Sequence, residues 1–388
     1  MRKEYLMIPG PTPCPEEVLQ AMGCQVFNHR GGRFASLLKE TIASSKIVFQ
    51  TEHDVLVFAS SGTGVMEAAV VNVLSPGDHV LALIAGGFGR RFTNIAKAYG
   101  ARIEAMEVPE GQRVEAEAVA ARLKQDTERS IKAIIVVHSE TTTGVLHDIR
   151  AISEARGDHP ALLVVDVISS LGCAEFKMDA WKVDVAVTAS QKGLMTPPGL
   201  GLAAVAPRAW EAAKQARMPR FYFDFQKMRD YAINGQTPFT PAVSLVMALK
   251  EALTLILEEG LDKAVARQVT IARACQAGVK ALGLKLFGNE AFSTPSVTTV
   301  WAPDNFDVGQ FRKVMRDKYR VVLGGGQGHL VDQIFRVGHL GAVQQTELLA
   351  VVSAMELGLR DCGYPAKLGA GVGAAEEVLS GGVLTKAG

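Results

Sequence analysis

The sequence predicts an α/β protein: a large domain on a mainly parallel sheet with helices on both faces, then a smaller C-terminal α+β domain. Two observations predict it. Through the first two-thirds of the chain, short apolar runs alternate with helical patterns, and those runs are apolar at nearly every position, as strands covered on both faces are. After about residue 250 the rhythm changes to long helical stretches and shorter strands.

Each element has its own signal. Val55 to Ala59 reads as a strand and Gly64 to Leu74 as a helix, closed by the turn sequence Ser75-Pro76-Gly77-Asp78. His79 to Leu83 is the next strand, and the helix from Phe88 to Tyr99 stops at Gly100. Ile131 to Val137 is a strand with no polar side chain beyond Lys132, and strands ending at Asp166 and Thr188 follow. A helical stretch runs from Pro241 to Leu261 and onward to Leu282. Strands at Ser296 to Trp301, Val321 to Leu323 and Ile334 to Val337 come next, flanked by helices at Asp307 to Tyr319 and Thr346 to Leu359. The tail beyond Pro365 has helical character. A length of 388 residues suits two domains, placed at residues 15–255 for the large one, with 1–14 and 256–388 forming an N-terminal lid segment and the small domain.

Close to half of the residues are apolar, too many for a disordered chain, and the formal net charge of +1 gives no electrostatic case for nucleic acid or a membrane surface. No apolar run approaches the roughly 18 residues that span a bilayer. The five cysteines are odd in number, widely spaced and without a Cys-x-x-Cys pair, so they read as free thiols in a reducing cytosol. The eight histidines show no ligand spacing, so no metal site is expected.

In such sheets ligands bind outside the carboxyl ends of the strands, and the polar clusters of this sequence fall there. Asp166 ends one apolar strand, and Lys192 sits in the polar turn after the next. A lysine so placed can form a Schiff base with pyridoxal phosphate, and the aspartate can hold the pyridine nitrogen protonated. The pair also fits an ordinary strand-end aspartate and a surface lysine. Ser61-Gly62-Thr63 lies between strand and helix, where freed amides and hydroxyls make an anion site, or simply a capped tight turn. Glycines flank Phe88 and expose its ring, which can stack on a flat heterocycle or serve as core. The hydroxyl run Thr141-Thr142-Thr143 can reach a ring oxygen, or is a threonine-rich loop, and Gln191 can hold phosphate or orient Lys192.

Taken in order, several segments together resemble class V aminotransferases of the alanine–glyoxylate and serine–glyoxylate type, over the stretch from about Leu6 to about Leu359. They are Gly10-Pro11-Thr12-Pro13, Ser61-Gly62-Thr63, Gly87-Phe88-Gly89, Glu140-Thr141-Thr142-Thr143-Gly144, Val165-Asp166, Ser190-Gln191-Lys192, Pro197-Pro198-Gly199 and Arg336-Val337-Gly338. The resemblance implies the type I pyridoxal-phosphate transferase fold with a seven-stranded sheet. It implies Lys192 as the anchor and proton shuttle, with Asp166 on the pyridinium nitrogen. Phe88 would stack on the ring, where relatives often carry Trp. Ser61, Gly62, Thr63 and Gln191 would hold the phosphate, and Thr142 would lie near the phenolic oxygen. Arg336 would clamp the substrate α-carboxylate in a bidentate fork, with Gly10 and Pro11 beside the substrate. Thr237 and Thr240 would reach across a homodimer interface to the partner's phosphate, although relatives often have Tyr where Thr237 stands. His29 and Arg30 line the entrance or form a solvated turn.

The implied reaction passes an amino group from alanine or serine to glyoxylate or pyruvate in the cytoplasm. Other donors (aspartate, an aminophosphonate, pyridoxamine) and a non-catalytic subunit of a larger assembly stand as alternatives. A cysteine desulfurase is disfavoured, because Cys362 lies too near the C-terminus for a catalytic loop.

Overall fold

The computed structural model describes residues 4–381; residues 1–3 of the expected lid segment and 382–388 of the expected small domain lie outside the described residues. The large domain is built on a seven-stranded sheet. Its spatial order is Asp54–Ala59, Leu200–Val205, Val185–Ala189, Leu162–Asp166, Ile131–Val137, His79–Ile84 and Arg102–Glu107. Every pairing is parallel except those of Leu200–Val205, which runs antiparallel to both neighbours.

Side chains alternate between the two faces, as a strand's period of two requires. Val55, Val57, Leu81, Leu83, Ile134, Val136, Leu163 and Val165 join one apolar core. Leu56, Phe58, Val80, Ala82, Ala133, Ile135, Leu162 and Val164 join the other. Both faces are therefore dry, which is why the strands read as unbroken apolar runs.

The C-terminal domain has a four-stranded sheet ordered Tyr5–Met7, Val321–Gly325, Ile334–Gly338 and Val297–Trp301. Tyr5–Met7 comes from the other end of the chain and pairs in parallel with Val321–Gly325. Met7 joins a third core with Phe311, Met315, Phe335 and Val337.

Some elements differ from expectation. The helical stretch from Pro241 to Leu282 is two helices, Val243–Glu259 and Leu261–Ala281, broken at Gly260, whose φ of +89° an ordinary residue resists. Helix Gly32–Phe49 and strands Leu200–Val205 and Arg102–Glu107 had no signal strong enough to place them. The five cysteines are free. No helix among the described residues is long and apolar enough to cross a membrane.

Candidate active site

The carboxyl edge of the large sheet opens into a cleft of about 900 Å³, lined by Gly10, Ser61, Gly62, Thr63, Phe88, Asp166, Gln191 and Lys192, among others. These come from five separate segments, so the sheet edge brings together groups far apart in sequence.

Asp166 is the last residue of its strand and only 2% exposed. Its Oδ1 accepts the Ile168 N–H at 2.7 Å. Burial, little offset by that bond, pushes its carboxyl up to about 7. A cation placed against it would restore the ionised form.

Lys192 follows strand Val185–Ala189 and is 9% exposed. Burial pulls its ammonium down to about 8; the charge of Asp166 opposes this, while Arg336 and Arg91 add to it. Its Nζ donates to the carbonyl of Pro9. The N-terminal segment is laced over the lysine: Thr12 Oγ1 donates to the Lys192 carbonyl at 3.1 Å, and the Thr12 N–H to that of Gln191 at 3.1 Å. Gly10 has φ +117°, and a Cβ there would stand 2.5 Å from Lys192 Nζ, so glycine leaves room for the amine.

Ser61 caps helix Gly62–Val73, its Oγ accepting the Gly64 N–H at 3.2 Å. The amides of that first turn have no intrahelical acceptor, so the helix start is an anion site. Gln191 Oε1 is buried without a partner among the described residues. A half-turn of its amide puts Nε2 there, a donor for an anion.

Phe88 is half-buried at the start of helix Gly87–Ala98. A residue that sequence reasoning left without a role fixes this turn. Glu140, fully buried, accepts the N–H groups of Phe88 and Gly89 through Oε2 at 2.9 Å each. Its Oε1 accepts the Thr142 N–H at 3.1 Å and hydroxyl at 2.5 Å. Burial pushes the Glu140 carboxyl up, but four donors and no acceptor face it, so the carboxylate is the form that satisfies all its neighbours.

Thr142 is thereby committed. Its hydroxyl gives its proton to Glu140 and accepts the Gly87 N–H at 2.9 Å, and it is not among the cleft-lining residues. The hydroxyl of the run that lacks a partner is that of Thr141. Arg336, 6% exposed, donates from Nη1 to the Thr141 carbonyl and from Nε to that of Gly325, both at 2.8 Å. Burial pulls its guanidinium down to about 10. It is not among the cleft-lining residues, but it is close enough for its charge to act on Lys192.

Thr237 and Thr240 do not line the Lys192 cleft of their own chain. They border a separate apolar cavity with Leu38, Tyr222 and Phe239, and Thr237 Oγ1 donates to the Phe239 carbonyl at 2.7 Å. Arg30 braces this loop, donating to the Thr237 carbonyl at 2.6 Å, and neither it nor His29 lines the cleft. Cleft residues to which sequence reasoning assigned no role include Ser139, Arg91 and Gln327. No group of three or more His, Cys, Asp or Glu side chains among the described residues is placed to hold a metal ion.

A buried acid, a buried amine, a flat ring and an anion cradle at a helix start together fit pyridoxal phosphate. The comparisons agree. The family profile described as "Aminotransferase class-V" matches residues 4–336. A relative named "Soluble hydrogenase, small subunit" from Synechococcus sp. (strain PCC 6716) is 43% identical over 97% of this chain and 99% of that one. The L-aspartate–glyoxylate aminotransferase of Paracoccus denitrificans is 39% identical, over 96% of this chain and 95% of that one. The serine–glyoxylate aminotransferase of Arabidopsis thaliana is 36% identical, over 97% and 95%. Among solved structures, the pyridoxamine-pyruvate aminotransferase of Mesorhizobium loti superposes with a TM-score of 0.92 at 29% identity, covering 97% of each chain. With its profile matched from the first described residue through Arg336, the chain belongs to the class V aminotransferases, enzymes that depend on pyridoxal phosphate.

Proposed function

We propose that this enzyme moves an amino group from a small amino acid, alanine or serine, to glyoxylate or pyruvate, with Lys192, Asp166 and Arg336 as its working residues. The observation that carries this reading is the pairing of a buried Lys192 with a buried Asp166 in one cleft, each titrating far from its usual range.

When bound, pyridoxal phosphate supplies an aldehyde and an electron-accepting ring. The chain's residues do the rest. Lys192, with its ammonium drawn down to about 8, carries a share of free amine at neutral pH, the form that attacks a carbonyl or takes a proton. Lys192 Nζ would hold the aldehyde end of the cofactor and, as a free amine, would take up the proton from the substrate α-carbon. Asp166 would keep the ring nitrogen protonated. Arg336 orients the α-carboxylate, which puts the α-hydrogen within reach of Lys192. Phe88 would pack on the ring, Gly10 and Pro11 would border the substrate, and Ser61, Gly62, Thr63 and Gln191 would receive the phosphate. The Thr142 hydroxyl is spent on Glu140, and Thr141, whose hydroxyl lacks a partner, is buried and likewise absent from the cleft lining.

Thr237 and Thr240 serve a second copy of the chain in this reading, since their own cleft lies elsewhere. The apolar side chains Phe221 and Ile233, 72% and 69% exposed beside that loop, support a homodimer. Sedimentation of the loaded enzyme tests it: a monomer at micromolar concentration would remove both threonines from the site.

The serine donor of the Arabidopsis relative supports the small-donor reading, and the aspartate donor of the Paracoccus relative supports a dicarboxylic one. A second reading, a subunit of a larger assembly that transfers no amino group, is favoured by the printed name of the Synechococcus relative. Half-reactions of the yellow enzyme with alanine, serine, aspartate and pyridoxamine decide among these by colour change. Bleaching by serine or alanine at the lowest concentration supports the proposal, and a protein whose colour no donor changes supports the subunit reading.

A further inference from the structure

We propose that Arg91 binds the cofactor's phosphate, adding a charge-bearing fork to a cradle otherwise made of hydroxyls, amides and an amide side chain. The inference rests on the proposed use of Ser61, Gly62 and Thr63 as that cradle.

Two adjacent arginines show the contrast. Arg90 is satisfied: its Nε meets Glu107 Oε1 at 2.8 Å, and Nη1 meets Glu110 Oε1 at 3.3 Å. Arg91 has no carboxylate partner among the described residues, although it is exposed and lines the cleft. Its Nη1 points to Thr63 Oγ1 at 3.4 Å, and its guanidinium carbon stands 4.8 Å from the centre of the Phe88 ring. It thus touches both the start of helix Gly62–Val73 and the aromatic plate.

The charge balance points the same way. A phosphate ester carries about −1.5 to −2 near neutral pH. A helix N-terminus offers about +0.5, concentrated in its first turn. Ser61, Thr63 and Gln191 add donors and no charge. Among the cleft-lining residues Lys192 and Arg91 are the cations, and Lys192 is committed to the aldehyde end. Arg91 therefore supplies the missing positive charge, in a form that meets phosphate oxygens two at a time. Its field also reaches the reacting end, where it adds to the lowering of the Lys192 ammonium and partly opposes the rise of the Asp166 carboxyl.

The rival role is a clamp for the side-chain carboxylate of a dicarboxylic donor. Binding of pyridoxal phosphate and of pyridoxal, which lacks the phosphate, to the cofactor-free protein separates the two, followed by absorbance. Arg91 is exposed, so its replacement leaves the core intact. Arg91→Met is expected to weaken pyridoxal phosphate about tenfold to a hundredfold while leaving pyridoxal within about twofold, with Arg91→Lys recovering part of the loss. Equal losses for both ligands would overturn the proposal, since the residue would then act only through the Phe88 ring. Unchanged cofactor binding, with a raised KM for aspartate and none for alanine or serine, would overturn it in favour of the clamp. A parent protein that binds neither ligand would sink the cofactor site itself, and the role of Arg91 with it.

Discussion

At one end of the cleft Asp166 and Lys192 are 2% and 9% exposed. At the other, Ser61 and Arg91 face solvent, and the donors are mostly backbone amides at a helix start. Charges at the first end have lost their water and titrate far from their usual ranges. Charges at the second keep it, and salt screens them. The difference separates chemistry from grip. Proton traffic needs groups whose protonation is poised, which desolvation provides. Holding a phosphate needs donors that stay put, which a helix terminus provides.

That contrast can be broken by substitution, beginning at the buried end. Lys192→Ala is expected to fold, lose its yellow absorbance and fall about a thousandfold or more in turnover. Absorbance that persists and is fixed by borohydride would assign the anchor to another lysine. In the parent protein, capture of cofactor should speed up with pH and level off above about 8, as the Lys192 amine loses its proton.

Asp166→Asn should lower turnover about a hundredfold, by removing the partner of a buried cation. It should also stabilise the cofactor-free protein. The Asp166 carboxyl is raised to about 7 when folded from 3.8, so it favours folding at low pH and loses that contribution as pH rises between those values. Urea unfolding should show the variant more stable than the parent above pH 7, by up to about 4 kcal/mol, with the gain shrinking toward pH 4. A gain that did not change with pH would mean that Asp166 is ionised throughout.

Arg336→Ala should raise KM about tenfold to a hundredfold for every amino acid, because all share the α-carboxylate. An effect on one donor alone would move Arg336 from the shared clamp to a side-chain site. The smallest effect belongs to the solvated end. Ser61→Ala removes a helix cap worth about 1 kcal/mol and should weaken pyridoxal phosphate only about fivefold. A loss as large as that of Lys192→Ala would erase the distinction between the two ends.

Much of the fold could be read from the chain because strands buried on both faces leave unbroken apolar runs, and Asp166 and Lys192 mark where two of them end. The direction of Leu200–Val205 could not be read, since a strand's residues do not record whether it runs with or against its neighbours. Arg102–Glu107 lies at the sheet edge and mixes charges with apolar residues, so it lacks the buried signature. At the site the harder problem was side-chain direction within a turn. Three threonines in a row read alike, yet one hydroxyl is locked to Glu140 and another is left without a partner. Glu140 itself gave no hint, because its four donors come from two segments that only the folded chain brings together.

The strand Tyr5–Met7 completes the small sheet, and the residues immediately after it roof the lysine. A protease cut or a bulky tag at this end would therefore act twice, stripping an edge from one domain and baring the amine of the other. The Lys192 amine is thus joined to the sheet of the C-terminal domain through a tether only a few residues long.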